Sequence, residues 1–170
     1  MAEFQDIYRR YAQDVHRFAL YLSGDRALAE DITSETFVRL WASDEKMIRM
    51  LTVKAYLFAI ARHLYIDSRR SASRYVAIDP ELPESGTSPE MLAIYKSELQ
   101  EVLRLLQEIP EVDRAALLMR AQQAMSYEDI AQALGISLAA VKVKIHRARL
   151  RLAEARARES RTNEAKGGLQ

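Results

Sequence analysis

Apolar residues in this chain recur at steps of three and four, and that spacing restricts the fold more than any other feature. Phe4, Ile7, Tyr8, Tyr11, Val15, Phe18, Ala19 and Leu22 form one stripe, and Gly24 is a natural stop after it. A second helix is expected from about Arg26 to Ala42, with Ala29, Ile32, Thr33, Thr36, Phe37 and Leu40 inward and Trp41 beside them. Thr52 is placed to cap a third helix, whose stripe is Val53, Tyr56, Leu57, Ile60, Ala61 and Leu64. After Arg70 the period fails. The stretch "SASRYVAIDPELPESGTSPE" is rich in proline and serine and reads as an exposed linker. Ser88 followed by Pro89 opens the next helix, which carries Met91, Tyr95, Leu99, Val102, Leu105 and Leu106 and ends at Ile109-Pro110. Two or three more helices reach about Arg158, and no strand-like alternation or repeat is present. The expected fold is therefore all-α, with two small helical domains at 1–72 and 89–158 joined by a flexible linker at 73–88 and followed by a frayed tail at 159–170.

A length of 170 residues suits one ordinary domain or two very small ones. Cysteine is absent, which excludes disulfides, thiolate catalysis and cysteine zinc sites. The N-terminus carries charge throughout and no apolar run approaches membrane-spanning length, so no membrane insertion and a cytoplasmic setting are expected. The formal net charge of +1 conceals strong segregation. Lys142, Lys144, Arg147, Arg149, Arg151, Arg156 and Arg158 crowd the C-terminal helix, whereas acidic residues dominate from Asp79 to Asp113. Such a distribution bears on partners more than the sum does.

The stretch "SYEDIAQALGISLAAVKVKIHRARLRL", Ser126 to Leu152, has the order required by a helix-turn-helix. Ser126 caps its first helix with Asp129 at the reciprocal position, Gly135 permits a left-handed turn, Ile136 plugs the core and Ser137 caps the second helix. Leu138, Val141, Ile145, Ala148 and Leu152 are expected in the buried seam, leaving Ala139, Ala140, Lys142, Val143, His146 and Arg147 outward. Small residues at the tip allow close approach to a groove, and alanine or valine can touch a thymine methyl. Phosphate contacts by Lys142, Lys144, Arg147 and Arg149 would supply most of the affinity, with little sequence selectivity. A solvated basic helix is the alternative.

On the third helix Phe58, Arg62, Tyr65 and Arg69 share the side opposite the stripe, extended by Arg70 and Arg74. Cations interleaved with aromatics suit single-stranded nucleic acid, because unstacked bases lie on the rings while guanidiniums hold the backbone. The other reading is that Phe58 and Tyr65 pack on the first helix. On the second helix Asp31, Ser34, Glu35 and Val38 share a face, which is either solvated or a docking surface for a basic partner. His16, His63 and His146 have no ligand spacing, no acid, base and nucleophile stand in a catalytic frame, and neither a metal nor a cofactor is expected. Phosphorylation of Thr33 or Ser34 would add charge to the acidic face.

"AEDITSETFVRLW", "AYLFAIARHLYIDSRR" and the helix-turn-helix stretch stand in an order and spacing that resembles the bacterial extracytoplasmic-function sigma factors, the short two-domain members of the sigma-seventy family. "IPEVDRAALLMR" is similar to the Pro-x-x-x-Arg opening of that family's promoter-binding domain. The resemblance implies a dissociable, non-enzymatic subunit that binds core RNA polymerase and directs transcription initiation at promoter DNA. It implies docking of Asp31, Ser34, Glu35, Phe37 and Val38 on the polymerase clamp. Minus-ten recognition falls to Phe58, Arg62, His63, Tyr65, Arg69 and Arg70, and minus-35 binding to Ser137, Ala139, Ala140, Lys142, Val143, Lys144, His146, Arg147 and Arg149. It also implies an anti-sigma factor as partner. Ser34 stands where members often have Gln, His63 replaces a frequent Asn, and Ala140 and Val143 replace commoner hydroxyl residues. A stand-alone helix-turn-helix regulator is the competing reading, and it has no use for the acidic or basic-aromatic helices.

Overall fold

The computed structural model describes residues 2–43, 52–72 and 89–168, all in helices or their short connections and with no strand among them. The loop 44–51, the linker 73–88 and the Ser88 cap lie outside the described residues. Helix α1 (Ala2–Ser23) buries Val15, Phe18, Ala19 and Leu22, the inner half of its sequence stripe. It stops at Gly24, whose φ of 70° is the left-handed conformation that favours glycine. Asp25 then caps α2 (Arg26–Ala42) by accepting from Leu28 N at 3.1 Å. Ala29, Ile32, Thr36, Phe37 and Leu40 are buried on α2, and the Thr36 hydroxyl donates back to the Ile32 carbonyl at 2.6 Å, which satisfies its polar atom inside the core. Thr52 caps α3 (Val53–Ala72) through Ala55 N at 3.1 Å.

In the C-terminal half, α4 (Pro89–Gln107) meets α5 (Glu111–Ala121) at a corner turned by Pro110. Arg114, only 4% exposed, stitches that corner by donating through Nη1 to the carbonyls of Ile109 at 2.6 Å and Leu106 at 3.4 Å. Ile109 N also donates to the Leu106 carbonyl at 3.1 Å, so the guanidinium and the backbone close the corner together. Helix α6 (Tyr127–Leu134) and helix α7 (Leu138–Gly167) form the helix-turn-helix. Ser126 and Ser137 accept from Asp129 N and Ala140 N, each at 3.1 Å, as the sequence leads one to expect. Gly135 sits at φ 66°, and Ile136 N returns to the Ala131 carbonyl at 3.1 Å, closing the turn. A Cβ at Gly135 would meet nothing within 4 Å, so Gly135→Ala carries only the backbone cost. It is expected to lower stability by about 1–2 kcal/mol in urea unfolding.

Two expectations need correction here. The segment 159–167 is not frayed, because α7 runs unbroken to Gly167. Just before this segment Ala155 is buried and Arg158 Nη2 holds Glu108 Oε2, one residue past α4, at 2.7 Å, and within it Glu159 pairs with Arg104 of α4. Leu138, placed in the buried seam by its spacing, is 39% exposed, since it begins α7 ahead of the first inward residue, Val141.

The N-terminal three-helix unit and the C-terminal unit do not stand apart. Buried apolar residues from both, Val15 and Phe18 through Met119, Ile130 and Ala148, form one continuous cluster. Gln107 Nε2 donates to the Leu22 carbonyl at 3.2 Å, Gln123 Nε2 to the Asp14 carbonyl at 3.3 Å, and Lys54 Nζ to the Gln123 carbonyl. The packing is closed, with α3 covered on two sides.

Candidate functional site

Asp31, Ser34, Glu35 and Val38 lie exposed on one face of α2, as their spacing requires. Glu35 meets Arg39 one turn later at 3.3 Å, an exposed pair of little energetic weight that leaves the carboxylate accessible. Phe37 does not belong to this surface. It is 4% exposed and packs edge-on against Tyr8 (centroids 4.9 Å apart) and Phe4 (6.5 Å), so its role is to hold α2 on α1. The residues missed in the sequence are Trp41 and Tyr8, about half exposed on the same side of the α1–α2 pair. Trp41 rests edge-on against Phe4 at 4.9 Å. Together with Val38 they give the acidic face an apolar border, and the signal for it was Trp41 standing three residues after Val38. Thr33 turns its hydroxyl to the Ala29 carbonyl at 2.7 Å, so it is poorly placed as an acceptor of phosphate, whereas Ser34 is exposed.

The basic-aromatic side of α3 resolves differently from its first reading. Phe58 is fully buried, its ring edge-on to Phe18 of α1 at 4.9 Å and 88°. Tyr65 is 3% exposed and accepts a hydrogen bond through its hydroxyl from Arg114 Nη2 at 3.1 Å. Arg62 forks onto Glu111 of α5, with Nε to Oε1 at 2.7 Å and Nη2 to Oε2 at 2.9 Å. Packing on the first helix is thus the reading that holds for Phe58, and contact with α5 covers Tyr65 and Arg62. The physical reason is that an aromatic ring with a helix beside it gains about 2 kcal/mol or more by burial. His63, Arg69 and Arg70 remain exposed.

The Arg62–Glu111 pair links the two units through side chains only 11% and 26% exposed. Glu111→Gln leaves a largely buried guanidinium short of its counter-charge. The expected result is a loss of about 1–3 kcal/mol in urea unfolding, with faster proteolysis between 73 and 88 if the units part. A melting curve identical to the parent's would show that the pair carries no weight.

On α7, Ala139, Lys142, Val143, His146, Arg147 and Arg149 are exposed beside the exposed cap Ser137, with Ala140 half-buried. Lys142 Nζ lies 5.9 Å from the centre of the Tyr127 ring, and Arg120 lies over the same ring at 4.5 Å. Tyr127, at the start of α6, is another residue the sequence reading missed. Lys144 departs from its expected place among the outward cations. Its Nζ is 3.5 Å from Oδ1 of Asp113, a carboxylate 2% exposed in the first turn of α5. A desolvated carboxylate draws the nearest cation inward, which removes Lys144 from the exposed face.

A small-tipped basic helix-turn-helix packed on a three-helix unit with an acidic outer face makes an all-α arrangement with one basic and one acidic surface. Residues 7–75 match the family model for Sigma-70 region 2, and residues 99–152 that for Sigma-70, region 4. The ECF RNA polymerase sigma factor SigM of Bacillus subtilis is 33% identical over 149 residues, 86% of this chain and 91% of that one. SigE of Mycolicibacterium smegmatis, also an ECF RNA polymerase sigma factor, is 32% identical over 166 residues, 94% of this chain and 64% of its own longer length. The sigma factor RpoE of Bartonella quintana, solved in complex with the anti-sigma factor NepR, has a similar fold. Its TM-score is 0.72 at 23% identity, covering 91% of this chain and 97% of that one. CnrH, solved with the cytosolic domain of CnrY, gives a TM-score of 0.66 at 22% identity, covering 89% and 85%. The chain belongs to the sigma-70 family, among its ECF RNA polymerase sigma factors.

Proposed function

We propose that this chain is a dissociable subunit that brings core RNA polymerase to promoters and has no catalytic group of its own. The observation that carries this is the pair of surfaces on one chain, an acidic face on α2 and a basic helix-turn-helix on α7, each within a stretch matched to a sigma-70 region. Asp31, Glu35, Ser34 and Val38, bordered by Tyr8 and Trp41, dock on the polymerase clamp, a basic partner surface. Ser137, Ala139, Ala140, Lys142, Val143, His146, Arg147 and Arg149 meet the minus-35 element as duplex. His63, Arg69 and Arg70 are the accessible part of the minus-ten surface on α3. In the closed packing Arg62 and Tyr65 are occupied by Glu111 and Arg114, so minus-ten recognition requires the units to part. Binding to core supplies that free energy, because a partner that engages both units at a fixed separation favours the open state. The domains that act this way are 1–72 and 89–158, joined by 73–88.

An anti-sigma factor is the natural antagonist, a reading supported by the fold neighbours RpoE and CnrH, which were solved with NepR and with the cytosolic domain of CnrY. The setting is the cytoplasm, where polymerase works, and none of the described helices is long and apolar enough to cross a membrane. A stand-alone regulator gains no support, since the acidic helix within the region 2 match has no part in it. The test is an electrophoretic shift on promoter DNA with chain alone, core alone and both. A specific complex is expected only with both, and a specific shift with the chain alone would sink the reading.

A further inference from the structure

Asp113 is a buried carboxylate in the first turn of α5 with little to compensate its charge. Oδ1 lies 3.5 Å from Lys144 Nζ of α7, and the buried Oδ2 has no hydrogen-bond partner among the described residues. The neighbouring Arg114 gives no help, since its Nη atoms donate to the Ile109 carbonyl and the Tyr65 hydroxyl. Among the described residues, then, Asp113 depends on Lys144. The seam around the pair is apolar. Val141, Ile145 and Ala148 of α7 are buried in the cluster that holds Ala115, Leu118 and Met119 of α5. Apolar burial has no direction, so by itself it leaves α7 free to turn slightly on α5. The ion pair has direction, because turning Lys144 away strands a buried charge. Replacing such a pair by apolar side chains of similar size is often neutral or stabilising, so stability is a poor reason for its presence.

We propose that the Asp113–Lys144 pair is a register pin for α7: it fixes the rotation of that helix on α5, and so the angle at which Ala139, Lys142 and Val143 enter a DNA groove. Lys144 is thereby a positioning residue that makes no phosphate contact. The inference rests on the sigma-factor reading for the identity of that DNA as the minus-35 duplex. Lys142 and Val143, one and two residues before Lys144, stand exposed, so a turn of α7 moves them with it. Discrimination by this helix depends on placement, because its tip is small and apolar. A contact between alanine or valine and a thymine methyl loses much of its dispersion energy over a gap of about 1 Å. The attraction of Lys142 or Arg147 for a phosphate falls far more slowly with distance. Loss of the pin therefore weakens sequence-specific binding and spares binding to arbitrary duplex.

The test is the full chain carrying Asp113→Leu with Lys144→Met, which replaces both charges by apolar side chains of similar size. Its melting temperature is expected to equal or exceed the parent's. Two DNA measurements by anisotropy follow. With core polymerase present, preference for a promoter mapped from transcript starts over the same duplex with a scrambled minus-35 element should fall at least about tenfold. Without polymerase, at low salt, affinity for the scrambled duplex and its salt dependence should match the parent's. Lys144→Arg, which keeps a cation opposite Asp113, should retain the promoter preference, whereas Lys142→Gln should lower the slope of log affinity against log salt by about one. A phosphate role for Lys144 gives another pattern: the double variant loses affinity for both duplexes alike, and its slope falls by about one. That pattern, a double variant that discriminates as the parent does, or one that melts well below the parent overturns the proposal. A parent chain that binds duplex in a salt-dependent way but shows no promoter preference beside core overturns the sigma-factor reading instead, while the slope comparison still reports on Lys144.

Discussion

Phe58→Ala is expected to destabilise the chain by about 3–5 kcal/mol in urea unfolding. The ring is fully buried and edge-on to Phe18, so alanine removes that aromatic contact and leaves a cavity between α1 and α3. Phe58→Leu refills most of the volume and should recover more than half of the loss. The comparison separates two roles for the same residue. A ring held in reserve for stacking on an unpaired base gives a variant whose stability changes by less than about 0.5 kcal/mol and whose defect appears only on promoter DNA. A ring that belongs to the core gives the large loss, visible in the absence of DNA.

The second large effect concerns the acidic face. Asp31→Lys combined with Glu35→Lys places two cations where a basic clamp surface is met, and like-charge juxtaposition across an interface costs several kcal/mol. Affinity for core polymerase, measured by anisotropy of a labelled chain, should fall at least about a hundredfold. The parent's own affinity should weaken as salt is raised. Both side chains are exposed on α2, so the variant's melting temperature should match the parent's. Unaltered affinity would move the docking surface away from α2. Phe37→Ala makes the contrast: its effect should appear first in stability, because Phe37 faces Tyr8 and Phe4 rather than solvent.

What could be read from the sequence and what could not divide along a physical line. Local signals carried through: Gly24 and Gly135 take the left-handed turns, while Thr52, Ser126 and Ser137 cap the helices that follow them. The α2 stripe buries as its spacing says, and the outward set on α7 is largely the one the period assigns. Apart from Leu138, exposed at the start of α7, the failures are tertiary. A three-and-four period shows that a helix has an inner face, yet α3 has two, and nothing in the period tells a second buried stripe of Phe58 and Tyr65 from an exposed one. Arg62 finds Glu111 across 49 residues of chain, and Lys144 turns to Asp113 on a different helix, pairings to which local spacing is blind. The helix from 159 to 167 shows no stripe in its polar sequence, whereas its support comes from the ion pair of Glu159 with Arg104 of α4 and, one residue earlier, of Arg158 with Glu108. The acidic face stood in the sequence, but its border of Tyr8 and Trp41 needs two helices to be seen.

Run-off transcription reconstituted from purified core polymerase, this chain and a promoter mapped from transcript starts after its overexpression tests the central claim most directly. A discrete transcript is expected that requires the chain, initiates at the mapped start, and is lost when Asp31 and Glu35 are both reversed or when Arg147 and Arg149 are both replaced by Ala. A chain that binds core yet gives no start-specific transcript, or a transcript indifferent to both sets of substitutions, would contradict it.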